Sequence, residues 1–258
     1  MGEAAGDHPM KLIVLGASSG LGRSLGVALA QEAKNDVALL ARREDRLERA
    51  VEEAGATSFA VSCDVLDEDH CAKAIGTAVE RLGGLDGFIY TVGMGPLSKI
   101  EAVDAATWRK TFDTNVVGAA ISTAAALPHL QASTGHAIYL SSVSASESKP
   151  WPGLGAYLTS KAALDKLVDA YRVEHPAINF TRVVMGDSAG GPGESVTGFA
   201  DNWDFGFLGE ISQVWMQRGL MAGALLPVEE LIRAVEHVLH SAPGTSIPSV
   251  VVTPRSVS

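Results

Sequence analysis

Tyr157 and Lys161 stand four residues apart in the stretch YLTSK. On a helix, residues at that spacing share a face, so a phenol and an ammonium can meet across one turn. A free phenol ionises at about pH 10, too high for efficient proton exchange at neutral pH. A neighbouring positive charge stabilises the phenolate and lowers that value. The pair therefore suits a general acid and base; the alternative is a surface tyrosine beside a solvated lysine. Far upstream, LGASSGLG carries Gly16, Gly20 and Gly22 in a G-x-x-x-G-x-G pattern. Glycines so placed let a strand-to-helix turn approach a pyrophosphate, whose charge sits against the helix N-terminus. An ordinary glycine-rich turn is the competing reading. Ser18, Ser19 and Leu21 belong to the same loop, the serines as phosphate neighbours rather than nucleophiles, since no base is placed to activate them.

The residues roughly 20 positions beyond the loop test the dinucleotide reading, because binders of NAD place a ribose-reading acid there. This chain has Arg42 and Arg43 instead. A guanidinium repels nothing on a 2′-phosphate and offers a planar fork to its oxygens. Arg42 is assigned to this role, favouring NADP(H) over NAD(H), while Arg43 can equally start the helix that follows.

Elements must hold these residues in place. Apolar runs at 11–16, 36–41, 58–65, 85–93, 136–142, 178–186 and 249–254 read as strands, and several lack apolar–polar alternation, as strands covered on both faces do. Between them lie amphipathic stretches, such as 43–55 ending on Gly55, and 66–84, which opens on acids and closes on Arg and Gly. Strand–helix alternation with short connections predicts an α/β fold: a doubly wound, seven-stranded, mostly parallel sheet with helices on both faces. Residues 1–9 read as a flexible tail and 10–258 as one domain. Residues 187–226, rich in glycine and aromatics, read as an insertion that covers the substrate.

The 258 residues are 47% hydrophobic and 19% charged, with a net charge of −10. That balance argues against nucleic acid or an anionic membrane as partner. No run reaches the roughly 18 apolar residues of a membrane span, and the N-terminus lacks the pattern of a secretory signal. Two cysteines, Cys63 and Cys71, form no disulfide framework, which points to a reducing, cytoplasmic setting. His237 and His240 have helical spacing but no further ligand to complete a metal set, so no metal site is expected.

With the glycine loop and YLTSK both in hand, the chain resembles the short-chain dehydrogenase/reductase family along almost its whole length. GASSGLG (16–22), DTNVVGA (113–119) and SSVSA…YLTSK (141–161) carry the likeness in the family's order. The resemblance implies a Rossmann-type fold and a catalytic set of Asn115, Ser142, Tyr157 and Lys161. In that pattern Tyr157 is acid in reduction and base in oxidation, and Lys161 bonds the nicotinamide ribose. Ser142 holds the substrate oxygen, and Asn115 anchors a water relay. It also implies cofactor contacts from Asp64 and Val65 beside the adenine, from Val92 and Gly93 after the fourth strand, and from Gly186 after the sixth. A homo-oligomer, dimer or tetramer, is implied as well. The chain departs from the family at Leu15, at YTVG (90–93) and at MGDSAGG (185–191). The usual spacing to the tyrosine would select Ser144, whereas aligning IYLSSVSA with the end of the fifth strand selects Ser142.

The substrate should lie beyond the carboxyl ends of the strands. Trp151, Trp203 and Trp215, with Phe199, Phe205, Phe207, Leu208 and Met216, fall in the 143–156 loop and the 187–226 insertion. A cleft lined by them would take a bulky, apolar carbonyl or alcohol; a subunit interface or a packed lid would use the same residues. Altered motifs also leave room for a non-catalytic NADP(H)-binding regulator or redox sensor on the same fold.

Overall fold

A computed structural model describes residues 9–31, 35–221, 225–242 and 244–255. The expected N-terminal tail, apart from Pro9, lies outside them. Among the described residues, β1 (Lys11–Leu15), β2 (Asp36–Ala41), β3 (Ser58–Ser62), β4 (Gly87–Tyr90), β5 (His136–Ser142), β6 (Asn179–Met185) and β7 (Ser249–Val252) form one sheet. Its order is β3-β2-β1-β4-β5-β6-β7, and every neighbouring pair is parallel. The chain winds outward from β1 in one direction and then from β4 in the other. The crevice at this switch between β1 and β4 is where open α/β sheets bind ligands.

Side chains alternate across the sheet, so β1 serves two cores at once. Leu12 and Val14 face α1 (Gly20–Gln31) and α9 (Val228–Leu239), packing with Leu25, Leu29, Leu231 and Val235. Ile13 and Leu15 face the other layer, α3 (Glu68–Leu82), α5 (Gly118–Ser133) and α7 (Gly155–Glu174), with Ile75, Leu130 and Leu164. Burial on both faces is why these strands read as continuous apolar runs.

The helix boundaries follow their punctuation. Between β2 and β3, α2 (Glu44–Ala54) stops at Gly55, whose φ is 91°. Asp67 caps α3 by accepting from the His70 N–H at 2.9 Å, and Gly83 ends it in the left-handed region at φ 70°. After β4, α4 (Ala105–Phe112) runs into α5 through a π-helical turn, Asp113–Val117. That turn puts Asn115 wholly inside, and the Tyr90 hydroxyl donates to the Thr114 carbonyl at 2.7 Å. Short π segments of this kind recur at functional sites. Beyond β5 comes the short α6 (Val143–Ser146), and beyond β6 the long excursion containing α8 (Phe205–Gln217). No helix among the described residues is long and apolar enough to cross a membrane.

Candidate active site

The glycine loop joins β1 to α1 under tight constraints. Gly16 and Gly20 have φ of 101° and 59°, a region L-residues with side chains avoid. A β-carbon on Gly22 would lie 2.5 Å from the Gly16 carbonyl oxygen and would also meet the Thr91 hydroxyl. The loop is pinned to its neighbours by Gly16 N–H donating to Leu40 O at 2.7 Å and Thr91 N–H donating to Leu15 O at 2.9 Å. Above it opens a cleft of about 710 Å³ that runs from Arg42 and Arg43 past Lys161 and Tyr157 to the tryptophans.

Of the residues singled out from sequence, this one cleft gathers Gly16, Ser18, Ser19, Gly20, Leu21 and Gly22, both arginines, Val65, Val92, Gly93, Ser142, Tyr157, Lys161 and Gly186. Asp64 is not in its wall. The Asp64 carboxylate accepts from Leu66 N–H at 3.1 Å, shaping the turn before α3, while Cys63 and Val65 face the cleft. Asn115 stands behind it. Its amide donates to Met94 O at 2.9 Å and to the Ser160 hydroxyl at 2.8 Å, and its carbonyl accepts from Met94 N–H at 2.8 Å. Asn115 thereby ties the segment after β4 to α7.

Both arginines line the cleft, and Arg43 makes contacts the sequence did not announce. Arg43 does begin α2, but its guanidinium turns back to donate to the Ser18 hydroxyl at 3.0 Å and the Ser19 hydroxyl at 2.7 Å. Burial, then the charges of Arg46 and Arg42, push its pKa down. So the residue left as a helix start is the one that grips the glycine loop, with Arg42 beside it in the cleft wall.

Tyr157 and Lys161 lie one turn apart on α7, and both line the cleft. Lys161 is buried, and its ammonium donates to Leu140 O at 2.7 Å. Burial pushes Lys161 down to about 8, against the opposing charge of Asp165. Burial also pushes Tyr157 up to about 12, opposed by a hydrogen bond from Ser142 and assisted by the negative charges of Asp165 and Asp187. The lysine was expected to lower the phenol; in the protein without a cofactor, desolvation of the phenolate dominates. Ser142 and Ser144 hydroxyls are 2.7 Å apart, and both serines line the cleft with Tyr157.

Lys161 gives the pH dependence of stability a readable sign. An unfolded chain keeps this proton up to the ordinary value of 10.5, whereas the folded protein releases it near 8. Between those limits the unfolded state binds more protons, so stability rises with pH. At 1.36 kcal/mol per unit the rise is about 3 kcal/mol across that window. Chemical denaturation of the native protein and of Lys161→Met at several pH values between about 8 and 10 should show this slope only in the former; parallel slopes would contradict it.

Described residues of the stretch after β6, among them Asp187, Thr197, Phe199, Trp203 and Trp215, line the cleft. Among its aromatics Phe199 packs edge-on against Tyr157 at 4.9 Å between centroids, and Trp203 against Phe199 at 5.4 Å. Trp151 and Trp215 pack behind them, tilted, at 5.2 Å between centroids, with Leu208 and Ile211 against them. Phe205 and Met216 point away and are exposed. Over the glycine loop, Thr197 sits 3.3 Å from where a Gly20 β-carbon would be. Buried Arg23 donates to the Ser195 hydroxyl at 3.0 Å, and Arg49 pairs with Glu194 at 2.8 Å. Sequence reasoning passed over Arg23, Thr197 and Ser195; partners 172 residues apart leave no local signal.

Fold and site together define a dinucleotide-binding α/β protein with a tyrosine–lysine pair in the crevice. The sequence family described as short chain dehydrogenase matches residues 11–187, and the chain belongs to that family. It is 34% identical to 11-beta-hydroxysteroid dehydrogenase A of Sesamum indicum over 68% of this chain and 51% of the relative, so it spans about half of that protein. With an uncharacterised oxidoreductase of Staphylococcus saprophyticus it shares 27% identity over 96% of both chains. An alcohol dehydrogenase from the archaeon Thermococcus sibiricus, solved with 5-hydroxy-NADP, has the same fold at a TM-score of 0.79, 23% identity and 97% coverage of each chain. So does a 3-ketoacyl-(acyl-carrier-protein) reductase from Brucella melitensis solved with NADH, at a TM-score of 0.78 and 20% identity over 95% of this chain and 97% of that one. The chain thus carries the fold of the short-chain dehydrogenases, a family that binds NAD(P)(H) and acts on small molecules.

The residues present fit such a cofactor. Gly16 and Gly22 leave the cleft floor bare because a β-carbon at either would strike the neighbouring backbone or Thr91. The N-terminus of α1 opens onto that floor at Gly20, and two guanidinium groups flank it.

Proposed function

We propose that the protein is an NADP(H)-dependent oxidoreductase that interconverts a bulky, mainly apolar carbonyl compound and its secondary alcohol. The carrying observation is that Ser142, Tyr157 and Lys161 share one cleft with the glycine loop and two arginines. The bound dinucleotide supplies or accepts the hydride; the protein supplies orientation and the proton. Ser142 holds the substrate oxygen. Tyr157 gives that oxygen a proton in reduction and removes it in oxidation, and Lys161 bonds the nicotinamide ribose and favours the phenolate. Ser144 steadies Ser142, and Asn115 holds the α7 backbone through Ser160, whose hydroxyl donates to Tyr157 O at 2.7 Å. Residues 10–258 act as one catalytic domain with 187–226 as its cover, and the protein works as a cytoplasmic homo-oligomer. The aromatic lining and a relative named for a steroid, a rigid apolar alcohol, both favour a large apolar substrate.

Cofactor choice rests on charge at the end of β2. Arg42→Asp replaces a phosphate-seeking fork with a repelling carboxylate. It should raise the dissociation constant for NADPH by about 100-fold relative to that for NADH. Arg43→Asp should shift the same ratio and also free Ser18 and Ser19. Fluorescence titration with both dinucleotides reads the outcome, and an unchanged ratio in both variants defeats the assignment.

A second reading has one observation in its favour. Phe199 lies on Tyr157, and the cover is fastened through Arg23 to Ser195 and through Arg49 to Glu194. A non-catalytic NADP(H)-binding regulator would need no more than a closed cleft. Incubation with NADPH and a panel of aryl and alicyclic ketones separates the two, since only an enzyme consumes the cofactor.

A further inference from the structure

Asp187 follows Gly186 directly after β6 and stands in the wall of the cleft that holds Tyr157, Phe199 and Trp203. Its backbone is fixed: Leu226 N–H donates to Asp187 O at 2.7 Å, and the Ser188 hydroxyl donates to Leu226 O at 3.1 Å. The carboxylate has no cation of its own among the described residues, and burial is the sole influence on it, pushing its pKa up. Its charge is felt at the Tyr157 phenol, as is that of Asp165, while Lys161 is committed to Leu140 O. A half-buried carboxylate without a partner is unfavourable, and a wholly apolar ligand that closed over it would make the desolvation worse. A ligand bringing positive charge would relieve it.

Rings in the same cleft suit the same charge. Tyr157, Phe199, Trp203 and Trp215 form an unbroken chain, with centroids 4.9, 5.4 and 6.5 Å apart. The indole N–H groups of Trp203 and Trp215 already donate to Gly95 O at 2.7 Å and Pro152 O at 2.8 Å. With its N–H satisfied, the half-buried Trp203 offers a ligand its π-system, which attracts ammonium groups. The net charge of −10 also draws cations toward the protein.

We infer that Asp187 and the Phe199–Trp203 rings select a substrate in which a protonated amine is carried on an apolar body. The inference rests on the oxidoreductase reading and narrows its substrate to amino ketones and the matching amino alcohols. Two ketones of equal shape test it: para-(dimethylaminomethyl)acetophenone, cationic at neutral pH, and para-isobutylacetophenone, neutral. Binding to the NADP-loaded protein is read by tryptophan fluorescence, and turnover separately by NADPH consumption. The native protein should bind the amine about tenfold more tightly than its isostere, and Asp187→Asn should bring the two within about twofold. Equal binding by the native protein overturns the inference without recourse to any variant. So does a preference that survives Asp187→Asn, or a variant that changes only the relative affinities for oxidised and reduced NADP, since the carboxylate would then answer the cofactor. Failure of the oxidoreductase reading looks different: the amine is preferred in binding, yet neither ketone consumes NADPH.

Discussion

Tyr157→Phe should lose about three orders of magnitude in turnover while its affinity for NADPH changes less than about twofold. The substitution removes one oxygen and leaves the ring, so the edge-on packing against Phe199 at 4.9 Å is kept. What is lost is the hydroxyl proposed to hand a proton to the substrate oxygen. The Ser142 hydroxyl pairs with that of Ser144 at 2.7 Å, and Lys161 donates one of its N–H groups to Leu140 O at 2.7 Å. Stopped-flow consumption of NADPH and fluorescence titration of the dinucleotide separate the two effects. Retained turnover would remove Tyr157 from the chemistry, and lost NADPH binding would make it a structural residue.

Gly22→Ala should damage both the fold and the cofactor cleft. Its β-carbon would lie 2.5 Å from Gly16 O and 3.0 Å from Gly16 C, and no rotamer relieves a clash with backbone. Either α1 moves off the sheet, loosening Leu25 and Leu29 from β1, or the loop deforms. A displacement of this kind costs about 2–4 kcal/mol of stability. Because the loop is the floor of the cleft, NADPH affinity should fall by about 100-fold as well. The contrast is Gly76→Ala on the exposed face of α3, where a β-carbon meets nothing within 4 Å. That change should stabilise the protein by about 0.5–1 kcal/mol, the ordinary preference of a helix for alanine over glycine. Thermal unfolding of the pair reads both, and a Gly22→Ala protein with native melting and binding would contradict the packing described.

Most of the architecture could be read from the chain because its strands are buried on both faces. Runs such as KLIVL and DVALLA have no polar face to blur their limits, and β1, β2 and β5 fall within a residue of the apolar runs that predicted them. The ends of α2 and α3 were legible for a different reason, since Gly55 and Gly83 occupy backbone regions that glycine favours. The π turn at Asp113–Val117 was not legible. Its composition is that of any helix, and only packing around Tyr90, Val65 and Gly118 selects the wider turn.

In the site, residues on adjacent strand ends were found together because the fold class dictates where strand ends go. Contacts made by long side chains were not. Arg43 and Arg42 are neighbours in sequence with the same chemistry, and the reach of Arg43 to Ser18 and Ser19 depends on the entry angle of α2. The direction of the Tyr157 pKa in the protein without a cofactor was not legible for a related reason. Spacing gives the distance to a lysine, but burial is a tertiary property, and it dominates both members of the pair. Asp64 illustrates the converse, a residue matched by motif whose carboxylate turns to its own backbone.

The central claim is that hydride leaves a bound nicotinamide for a carbonyl carbon beside Tyr157. Single-turnover reaction of NADPH deuterated on the transferring face of C4 with a ketone that the protein reduces, followed by mass spectrometry of the alcohol, tests it directly. The account predicts one deuterium on the carbinol carbon, formed by the native protein and not by Tyr157→Phe. An alcohol without deuterium from either stereoisomer of the labelled cofactor, or one labelled equally well by Tyr157→Phe, would contradict it.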